Sequence, residues 1–292
     1  MKVAIYARQL APANFLFLEN LLQTLESREH QISIFQSLLT QVKTAIRLPE
    51  NCKPFTSSDD IRGCTDFLFS IGGDGTILDT LTIVQDSGIP VLGINVGRLG
   101  FLSSVAADEI IDAVELLEKG HYALDKRSLL KLESNCSLFG EVNYALNELT
   151  IHKKDSSSMI TINTYLNGEY LNSYWADGLI IATPTGSTGY SLSCGGPIVA
   201  PYSGNFVITP IAPHNLNVRP IVVSDQNVVS LEVQGRSQYF LASLDSRSVT
   251  IDSSIQLAVR KQDFTMNLVR FDNDNFLGTL RRKLNWGLDT RN

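Results

Sequence analysis

Residues 67–76 read FLFSIGGDGT and decide the fold of the first half of the chain. An apolar run of strand length, Phe67–Ile71, leads directly into a loop of three glycines and one aspartate. A helical pattern of apolar residues follows over residues 76–84. A buried strand that enters a helix through a glycine loop is typical of an open α/β sheet, in which ligands bind beyond the carboxyl ends of the strands.

The same alternation of strand and helix extends to both sides of this stretch. Short apolar runs predict further strands at residues 3–7, 32–35 and 90–94. Apolar residues at helical spacing predict helices over residues 15–29 and 106–119. Strands joined by crossover helices imply a parallel sheet with helices on its faces.

From about residue 128 the pattern changes to short, alternating runs that indicate strands. They fall at residues 160–166, 169–175, 228–233, 239–244 and 249–259, and Asn167-Gly168 marks a tight turn between the first two. We therefore predict an α/β domain with the glycine loop at residues 1–122 and a β-rich domain at 123–272. The last segment, 273–292, contains a helix over 275–286 that we expect to pack back on the first domain.

Composition excludes several classes of protein. The chain has 292 residues with 24 basic and 30 acidic side chains, a net charge of −6. This acidic balance argues against nucleic-acid binding and against binding to an anionic membrane surface. No signal peptide or membrane span is recognisable, so we expect a cytoplasmic protein. The four cysteines have no zinc-ligand spacing, and we expect free, buried thiols.

The glycine loop has the chemistry of a phosphate site. Gly72, Gly73 and Gly75 let the backbone approach a phosphate without a Cβ clash, and the helix that starts near Thr76 adds its positive end. Asp74, with little apolar cover, should be ionised and reachable, so it could accept a hydroxyl proton or help to hold Mg²⁺. The alternative is a tight strand-to-helix turn in which Asp74 is the N-cap.

A second motif covers residues 177–197, DGLIIATPTGSTGYSLSCGGP. A buried strand leads into a loop that is dense in hydroxyls and glycines. Such a loop suits phosphate, ribose or an adenine edge. The alternative is a Ser/Thr-rich turn that caps a helix.

Two further segments are weaker signals. Asn147 and Glu148 interrupt an apolar strand pattern at residues 145–151. Because neighbouring strand residues face opposite sides, one of the two should be covered unless the strand twists or bulges. Together they could grip a diol, or they could lie at a surface edge. Residues 93–102 form another glycine-containing loop, whose Arg98 could pair with a phosphate or with a surface carboxylate.

Taken together, these motifs resemble the NAD kinase family, the ATP-dependent kinases that phosphorylate the 2′-hydroxyl of the adenosine ribose of NAD. The glycine run alone is also similar to that of diacylglycerol kinases, sphingosine kinases and 6-phosphofructokinases. The Asn147-Glu148 pair adds discrimination, and residues 177–197 are close to specific for NAD kinases. Residues 210–220, PIAPHNLNVRP, also resemble the family's Pro-His-x-Leu-x-x-Arg-Pro segment.

The resemblance implies an N-terminal α/β domain, a C-terminal β-sandwich and a homodimer or homotetramer, with ATP and NAD as substrates. It implies that Asp74 acts as the general base for the 2′-hydroxyl or orients that hydroxyl. Asn147 and Glu148 would hold ribose hydroxyls of NAD. The other NAD-binding residues would be Gly75, Asp177, Thr188, Gly189, Tyr190, Ser191, Leu192, Ser193 and Ala212. The loop residues that would cradle the ATP phosphates with Mg²⁺ are Gly72, Gly73, Gly75 and Thr76. No residue is assigned as a metal ligand.

Three positions depart from the family pattern. Trp175 stands where many members carry Arg, and Gly189 replaces a common Ala. Asp79 stands where some members have a basic residue or Gly, and an acid there would not favour a bound phosphate. We therefore assign no role to Trp175 or Asp79.

The residues also leave two other functions open. One is a lipid kinase, against which stand the acidic charge and the lack of a basic amphipathic helix. The other is a non-catalytic NAD sensor, against which stands the acid at Asp74. ATP and polyphosphate place similar demands on a glycine loop as phosphoryl donors.

Overall fold

The structure is a computed structural model, and it describes residues 1–97, 100–103, 105–154, 158–271 and 275–286. The described residues form two compact units. The first takes its residues from Met1–Lys126 and Met266–Asn292, and the second from Arg127–Thr265. Arg98 lies outside the described residues.

The first unit is built on a parallel sheet. Its strands are β1 (Lys2–Tyr6), β2 (Gln31–Phe35), β3 (Lys53–Phe55), β4 (Phe67–Ile71), β5 (Val91–Asn95) and β6 (Val105–Ala106). The spatial order is β6-β5-β4-β1-β2-β3, and every neighbouring pair is parallel. The helices between the strands are α1 (Phe15–Ser27), α2 (Gln36–Val42), α3 (Asp74–Val84) and α4 (Ile110–Glu118).

The core of this unit follows the apolar pattern of the sequence. All five residues of β4 are buried, as in a strand that is covered on both faces. Helix α1 buries Leu18, Leu21, Leu22 and Leu25, one stripe at helical spacing. The predicted strands at 3–7, 32–35 and 90–94 agree with β1, β2 and β5 to within one residue at each end. Helix α4 is shorter than predicted because residues 107–109 form a 3₁₀ turn before it.

The described residues of the second unit are all-β apart from a 3₁₀ turn at Gly186–Thr188 and one short α-helix. Its strands are β7 (Ala123–Ser134, which begins in the first unit), β8 (Tyr144–Ala145), β9 (Glu148–Lys153), β10 (Ile160–Leu166), β11 (Glu169–Ala176), β12 (Gly178–Ala182), β13 (Asn205–Ile211), β14 (Ile221–Ser224), β15 (Val229–Gly235), β16 (Tyr239–Leu244), β17 (Arg247–Asp252) and β18 (Gln256–Arg270, which ends in the first unit). Helix α5 is a single turn, Tyr190–Ser193.

All of these strands except β7 and β8 form two antiparallel layers, and β7 pairs with β18 and with β8. One has the order β11-β10-β15-β18, and the other β14-β13-β12-β9-β16-β17. Residues of both layers share one core, with Ile162 and Val233 from the first and Ile151, Phe206 and Phe240 from the second. The expected β-sandwich is thus confirmed.

One predicted strand and part of the cysteine assignment are wrong. Residues 249–259 are not one strand, because a turn separates β17 from β18. In this turn the carboxylate of Asp252 accepts the amide of Ser254 at 2.8 Å. All four cysteines are free, but none is fully buried: Cys52 and Cys194 are partly buried, and Cys64 and Cys136 are exposed because they lie in loops rather than in a core.

The last described helix is α6 (Phe276–Leu284). The side chain of Asn275 caps it by accepting the amide of Gly278 at 2.6 Å. Among the described residues, no helix is long and apolar enough to cross a membrane.

The sandwich core predicts a sharp contrast between two neighbours on β16. Phe240 is fully buried, whereas Tyr239 is 52% exposed on the opposite face. Phe240→Ala should lower the free energy of unfolding by about 3–5 kcal/mol because it leaves a cavity. Tyr239→Ala should change it by less than about 1 kcal/mol. Denaturant unfolding of both variants checks this, and equal losses would contradict the assigned faces.

Candidate functional site

The glycine loop joins β4 to α3 in the first unit. Gly72 has φ +153°, and a Cβ there would lie 2.2 Å from Oγ1 of Thr76, so the turn requires glycine. At Gly73 and Gly75 a Cβ would meet nothing within 4 Å. These two positions border open space at the start of α3, where the amide of Thr76 already donates to the carbonyl of Gly73 at 2.9 Å. The amides at the start of a helix, here those of Asp74 and Gly75, lack a carbonyl one turn earlier in the helix. The loop can therefore receive an anion.

The carboxylate of Asp74 is held by another segment of the same unit. It accepts the amides of residues 101–103 at 2.7, 3.0 and 3.3 Å. Gly73, and not Asp74, is the N-cap of α3, so the alternative reading of Asp74 as a cap is wrong. Among the described residues, Oδ2 receives only the amide of Phe101, and it keeps acceptor capacity for a further donor. A Cβ at Gly100 would lie 1.8 Å from Oδ1, so this arrangement also depends on that glycine.

The acid at position 79 is balanced by a cation. Arg8 follows β1, and its Nε and Nη2 donate to the two carboxylate oxygens of Asp79. The hydroxyl of Tyr6 lies 3.3 Å from the same carboxylate. Burial, and then the charge of Asp79, raise the pKa of Tyr6 to about 12. The negative charge of Asp79 is therefore compensated by Arg8, which weakens its repulsion of a bound phosphate.

In the second unit, Asn147 and Glu148 lie where the strand is interrupted. β8 ends at Ala145 and β9 begins at Glu148, so Asn147 lies outside both. The interruption is held from two sides. The carboxylate of Asp245 accepts the amides of residues 146–148 at 2.9, 2.8 and 3.1 Å. On the other side, Thr183 donates its hydroxyl to the carbonyl of Leu146 at 2.5 Å and its amide to that of Asn147 at 2.8 Å.

The pair carries polar atoms that the described chain does not satisfy. Oδ1 of Asn147 and Oε2 of Glu148 are buried without a hydrogen-bond partner among the described residues. Burial, and then the charge of Asp245, raise the pKa of Glu148 to about 8. Buried acceptors without donors are rare in folded proteins, so this pair is suited to a ligand that brings hydroxyl donors.

The hydroxyl-rich loop lies against this pair but uses many of its hydroxyls internally. A Cβ at Gly186 would lie 2.2 Å from the carbonyl oxygen of Asn147, and one at Gly189 would lie 3.5 Å from Oε2 of Glu148. The internal hydroxyl bonds are Ser187 to the carbonyl of Pro184 at 2.7 Å, Thr188 to the carbonyl of Thr185 at 3.2 Å and Ser191 to the hydroxyl of Thr209 at 2.8 Å. The alternative interpretation, a Ser/Thr-rich turn, therefore explains these hydroxyls. The loop still contributes to the site, because Gly186 and Gly189 lie close to Asn147 and Glu148.

A second cluster surrounds Asp177, just before β12. Its carboxylate pairs with Nζ of Lys153 at 2.6 Å, and its amide donates to the carbonyl of Ile211 at 3.0 Å. The next residue, Ala212, is exposed and has φ +44°, a left-handed conformation that is strained for alanine. Backbone strain of this kind concentrates at functional sites.

Trp175 lies beside the same cluster. Its ring packs on that of His214 with centroids 4.2 Å apart, and its carbonyl accepts the amide of His214 at 2.9 Å. The Trp175 side chain therefore braces the segment that carries Ala212.

Tyr190 connects the two clusters electrostatically. Partial burial raises its pKa first, followed by Cys194 and then by the charges of Asp177 and Glu148. In the pairing of β12 with β9, Gly178 lies opposite His152 and Ala182 opposite Glu148. Four residues along a strand cover roughly 13 Å. The candidate site of this unit is therefore elongated.

The site residues predicted from the sequence are divided between the units. Gly72 to Thr76 lie in the first unit and all the others in the second. Sequence reasoning missed Asp245 and the amides of residues 101–103, and it did not foresee that Thr183 of the 177–197 motif binds the backbone of the pair. Asp245 and Thr183 lie far along the chain from the atoms they bind, and backbone amides carry no residue signature.

Comparisons with known proteins agree over both units. The family model described as ATP-NAD kinase N-terminal domain matches residues 18–122, and that described as ATP-NAD kinase C-terminal domain matches residues 146–271. The NAD kinase of Cytophaga hutchinsonii is 50% identical over 293 residues, which cover 100% of both chains. That of Flavobacterium psychrophilum is 45% identical over 297 residues, again 100% of both.

Solved structures show the same fold. Yeast NADH kinase complexed with NADH has a TM-score of 0.89 at 22% identity, over 100% of this chain and 89% of that chain. An NAD kinase from Archaeoglobus fulgidus in complex with ATP has a TM-score of 0.74 at 25% identity, over 98% and 99% of the two chains.

The contact between Gly186 and Asn147 predicts a stability effect. Gly186→Ala should lower the free energy of unfolding by about 1–3 kcal/mol, because the new methyl group meets backbone rather than a flexible side chain. Gly75→Ala, where a methyl group has open space, should not destabilise the protein. Thermal or denaturant unfolding of both variants checks the contrast. A Gly186→Ala protein as stable as the wild type would show that the loop does not approach the pair this closely.

Proposed function

This chain belongs to the NAD kinase family and transfers the γ-phosphoryl group of ATP to the 2′-hydroxyl of the adenosine ribose of NAD, and we propose that Asp74 and the Asn147-Glu148 pair carry this reaction. The observation that carries the proposal is a pair of buried acceptors, Oδ1 of Asn147 and Oε2 of Glu148, that have no hydrogen-bond partner in the described part of the chain. Ribose hydroxyls supply the donors that these atoms lack.

Asp74 has the position and the free acceptor capacity for the catalytic role. Its amide bonds to residues 101–103 fix the carboxylate beside the open glycine loop, and Oδ2 can accept one more donor. In the proposed step Asp74 accepts the proton of the 2′-hydroxyl while that oxygen forms a bond to the γ-phosphorus. The bond from the γ-phosphorus to the bridging oxygen breaks, and ADP leaves. Such transfer depends on positioning and electrostatic stabilisation.

Gly72, Gly73, Gly75 and Thr76 are proposed to receive the ATP phosphates. The open space at Gly73 and Gly75 and the positive end of α3 support this assignment. The donor set also fits Mg²⁺ that arrives with ATP, because Mg²⁺ is commonly bound by one or two carboxylates together with substrate phosphates, and Asp74 offers one carboxylate. The ion would neutralise charge that develops on the phosphate oxygens.

The second unit is proposed to bind NAD along its elongated site. Asn147 and Glu148 would hold ribose hydroxyls, and Asp177 and Ala212 would lie at the other end. The wall between them would be formed by the residues Thr188, Gly189, Tyr190, Ser191, Leu192 and Ser193. The roughly 13 Å offset between the two ends suits a dinucleotide better than a single ribose.

Self-association and a cytoplasmic location are further proposals. Strand β14 ends its sheet and exposes Ile221 and Val222, apolar residues that suit contact with a second copy of the chain. The family resemblance implies a homodimer or homotetramer, which light scattering on the purified protein would measure.

Asp74→Asn should lower turnover by about 10²–10⁴-fold, the usual contribution of a general base. NAD affinity should change much less, because the amide oxygen still accepts hydrogen bonds. The measurement is a coupled assay of NADP formation from NAD and ATP with Mg²⁺. Asp86→Asn, at an exposed carboxylate just beyond α3, is the matched control.

A thermal melt separates loss of catalysis from loss of fold, because Asp74 also binds the amides of residues 101–103. Turnover near that of the wild type in Asp74→Asn would remove its catalytic role. A wild-type protein that binds NAD without turning it over would support the sensor reading instead.

Glu148→Ala should weaken NAD binding by roughly 1.5–3 kcal/mol through the loss of charge-assisted hydrogen bonds to the diol, and it should leave ATP binding unchanged. Because these bonds favour the ionised carboxylate and its pKa is about 8, NAD affinity of the wild type should rise between pH 7 and pH 9. Calorimetric titration with each nucleotide checks both effects. Glu169→Ala, at an exposed glutamate, is the control. Unchanged NAD affinity in Glu148→Ala would show that Asn147 and Glu148 have a structural role only.

A further inference from the structure

Asp245 occupies an unusual position for a carboxylate. It lies in the two-residue turn between β16 and β17, where Leu244 pairs with Arg247, and it has φ +51°. Asp245 as a whole is partly exposed and the next residue, Ser246, is exposed, but the carboxylate of Asp245 is buried. Aspartate is one of the few residues that adopt this left-handed conformation readily, and here the conformation directs its side chain at a neighbouring segment.

That segment is the strand interruption that carries Asn147 and Glu148. Oδ2 of Asp245 accepts the amide of Leu146, and Oδ1 accepts the amides of Asn147 and Glu148. The amide of Asp245 in turn donates to the carbonyl of Glu148 at 3.1 Å. Three successive backbone amides thus share a single carboxylate.

Arg247, two residues after Asp245, contacts the same segment. Arg247 donates from its guanidinium to the carbonyls of Val142 and Tyr144, just before the interruption. The turn therefore holds the backbone of residues 142–148 with a carboxylate at its amides and a guanidinium at its carbonyls. Burial raises the pKa of Asp245, and the three amides and the charge of Arg247 oppose this by favouring its ionised form. The turn itself is closed by the backbone pairing of β16 with β17.

We propose that Asp245 is a positioning residue of the NAD site, which sets the orientation of Asn147 and Glu148 toward the ribose diol by binding the amides of residues 146–148. The proposal rests on the proposed function, because Asp245 acts through that pair and does not itself contact NAD. It also predicts that NAD recognition depends on a residue almost 100 positions further along the chain.

The test is Asp245→Asn in the full-length protein. Asparagine tolerates the left-handed turn, but its NH₂ group faces the amide of Leu146, where a donor meets a donor. The KM for NAD should rise at least about ten-fold, while the KM for ATP stays within about two-fold of the wild type. Asp245→Gly, which also keeps the turn and removes the carboxylate, should give the same split and serves as the second variant.

The matched control is Asp225→Asn. Asp225 is another buried carboxylate of the same unit, and it pairs with Nζ of Lys261 at 2.7 Å. This variant should lower the melting temperature without changing the KM for NAD. A general loss of stability is thereby separated from a loss of positioning.

The pH profile gives a readout that a structural role would not change. The groups that act electrostatically around Glu148 are Asp245 from the β16–β17 turn and Tyr190 and Cys194 from α5. Of these, Asp245 raises the pKa of Glu148 through its charge. Asp245→Asn removes that charge, so the rise in NAD affinity that the wild type shows near pH 8 should move to lower pH.

A double-mutant cycle decides whether Asp245 acts through the pair. In a Glu148→Ala background, Asp245→Asn should raise the Kd for NAD by a much smaller factor than it does in the wild type. An equal factor in both backgrounds, or a wild-type KM and pH profile in Asp245→Asn, would overturn the proposal. If Glu148→Ala itself binds NAD normally, the proposed NAD site fails. A silent Asp245→Asn beside a defective Glu148→Ala contradicts only the positioning role.

Discussion

The interaction on which the second unit's site depends is the bond between the carboxylate of Asp245 and the amides of residues 146–148. A sheet normally satisfies such amides through the ladder of a neighbouring strand. Here the strand is interrupted, and the amides would be buried without partners if no side chain reached them. The carboxylate solves this problem and fixes the backbone in a conformation that a continuous strand does not offer. Asn147 and Glu148 can lie together on it because strand alternation no longer applies.

The first unit uses the same device at its own site. Asp74 accepts the amides of residues 101–103, and so joins the start of α3 to the segment that follows β5. In both units a carboxylate binds three consecutive amides of a segment distant in sequence. The difference lies in which group would be offered to a ligand: in the proposed reaction Asp74 is itself the reactive group, whereas Asp245 is proposed to support its neighbours. Groups fixed in this way need little reorganisation when a ligand arrives, which is the condition for effective electrostatic catalysis.

The sequence predicted the elements that depend on local pattern and missed those that depend on distant contacts. Strands β4, β10 and β16 agree with their predicted bounds, because apolar runs and turn residues mark them clearly. The turn between β17 and β18 was missed because residues 249–259 alternate as one strand would, and only the side chain of Asp252 marks the break. Helix α2 and strand β3 were not predicted, because both are short and lack a strong apolar period.

For the candidate site, the sequence predicted the residues with recognisable chemistry but not how they are held. The glycine loop and the Asn147-Glu148 pair stand out by composition. Asp245 does not, because an aspartate in a hairpin turn is ordinary, and only the paired strands β9 and β16 bring it to the amides it binds. The hydroxyls within the 177–197 motif suggested more ligand contacts than the structure supports. Several of them form hydrogen bonds within the protein that hold the loop.

Burial of Glu148 has a consequence for stability as well as for binding. Its pKa in the folded protein is about 8, well above the ordinary value of 4.5, so the folded state holds a proton that the unfolded state releases at neutral pH. The contribution of this group to stability is therefore fully present below pH 4.5, and it is lost as pH rises through about 8. A ligand that donates hydrogen bonds to the ionised carboxylate reverses this loss. The site is accordingly least stable when it is empty and ionised. Binding of a diol there, as proposed, would offset the cost of an acid that is buried without a hydrogen-bond partner among the described residues.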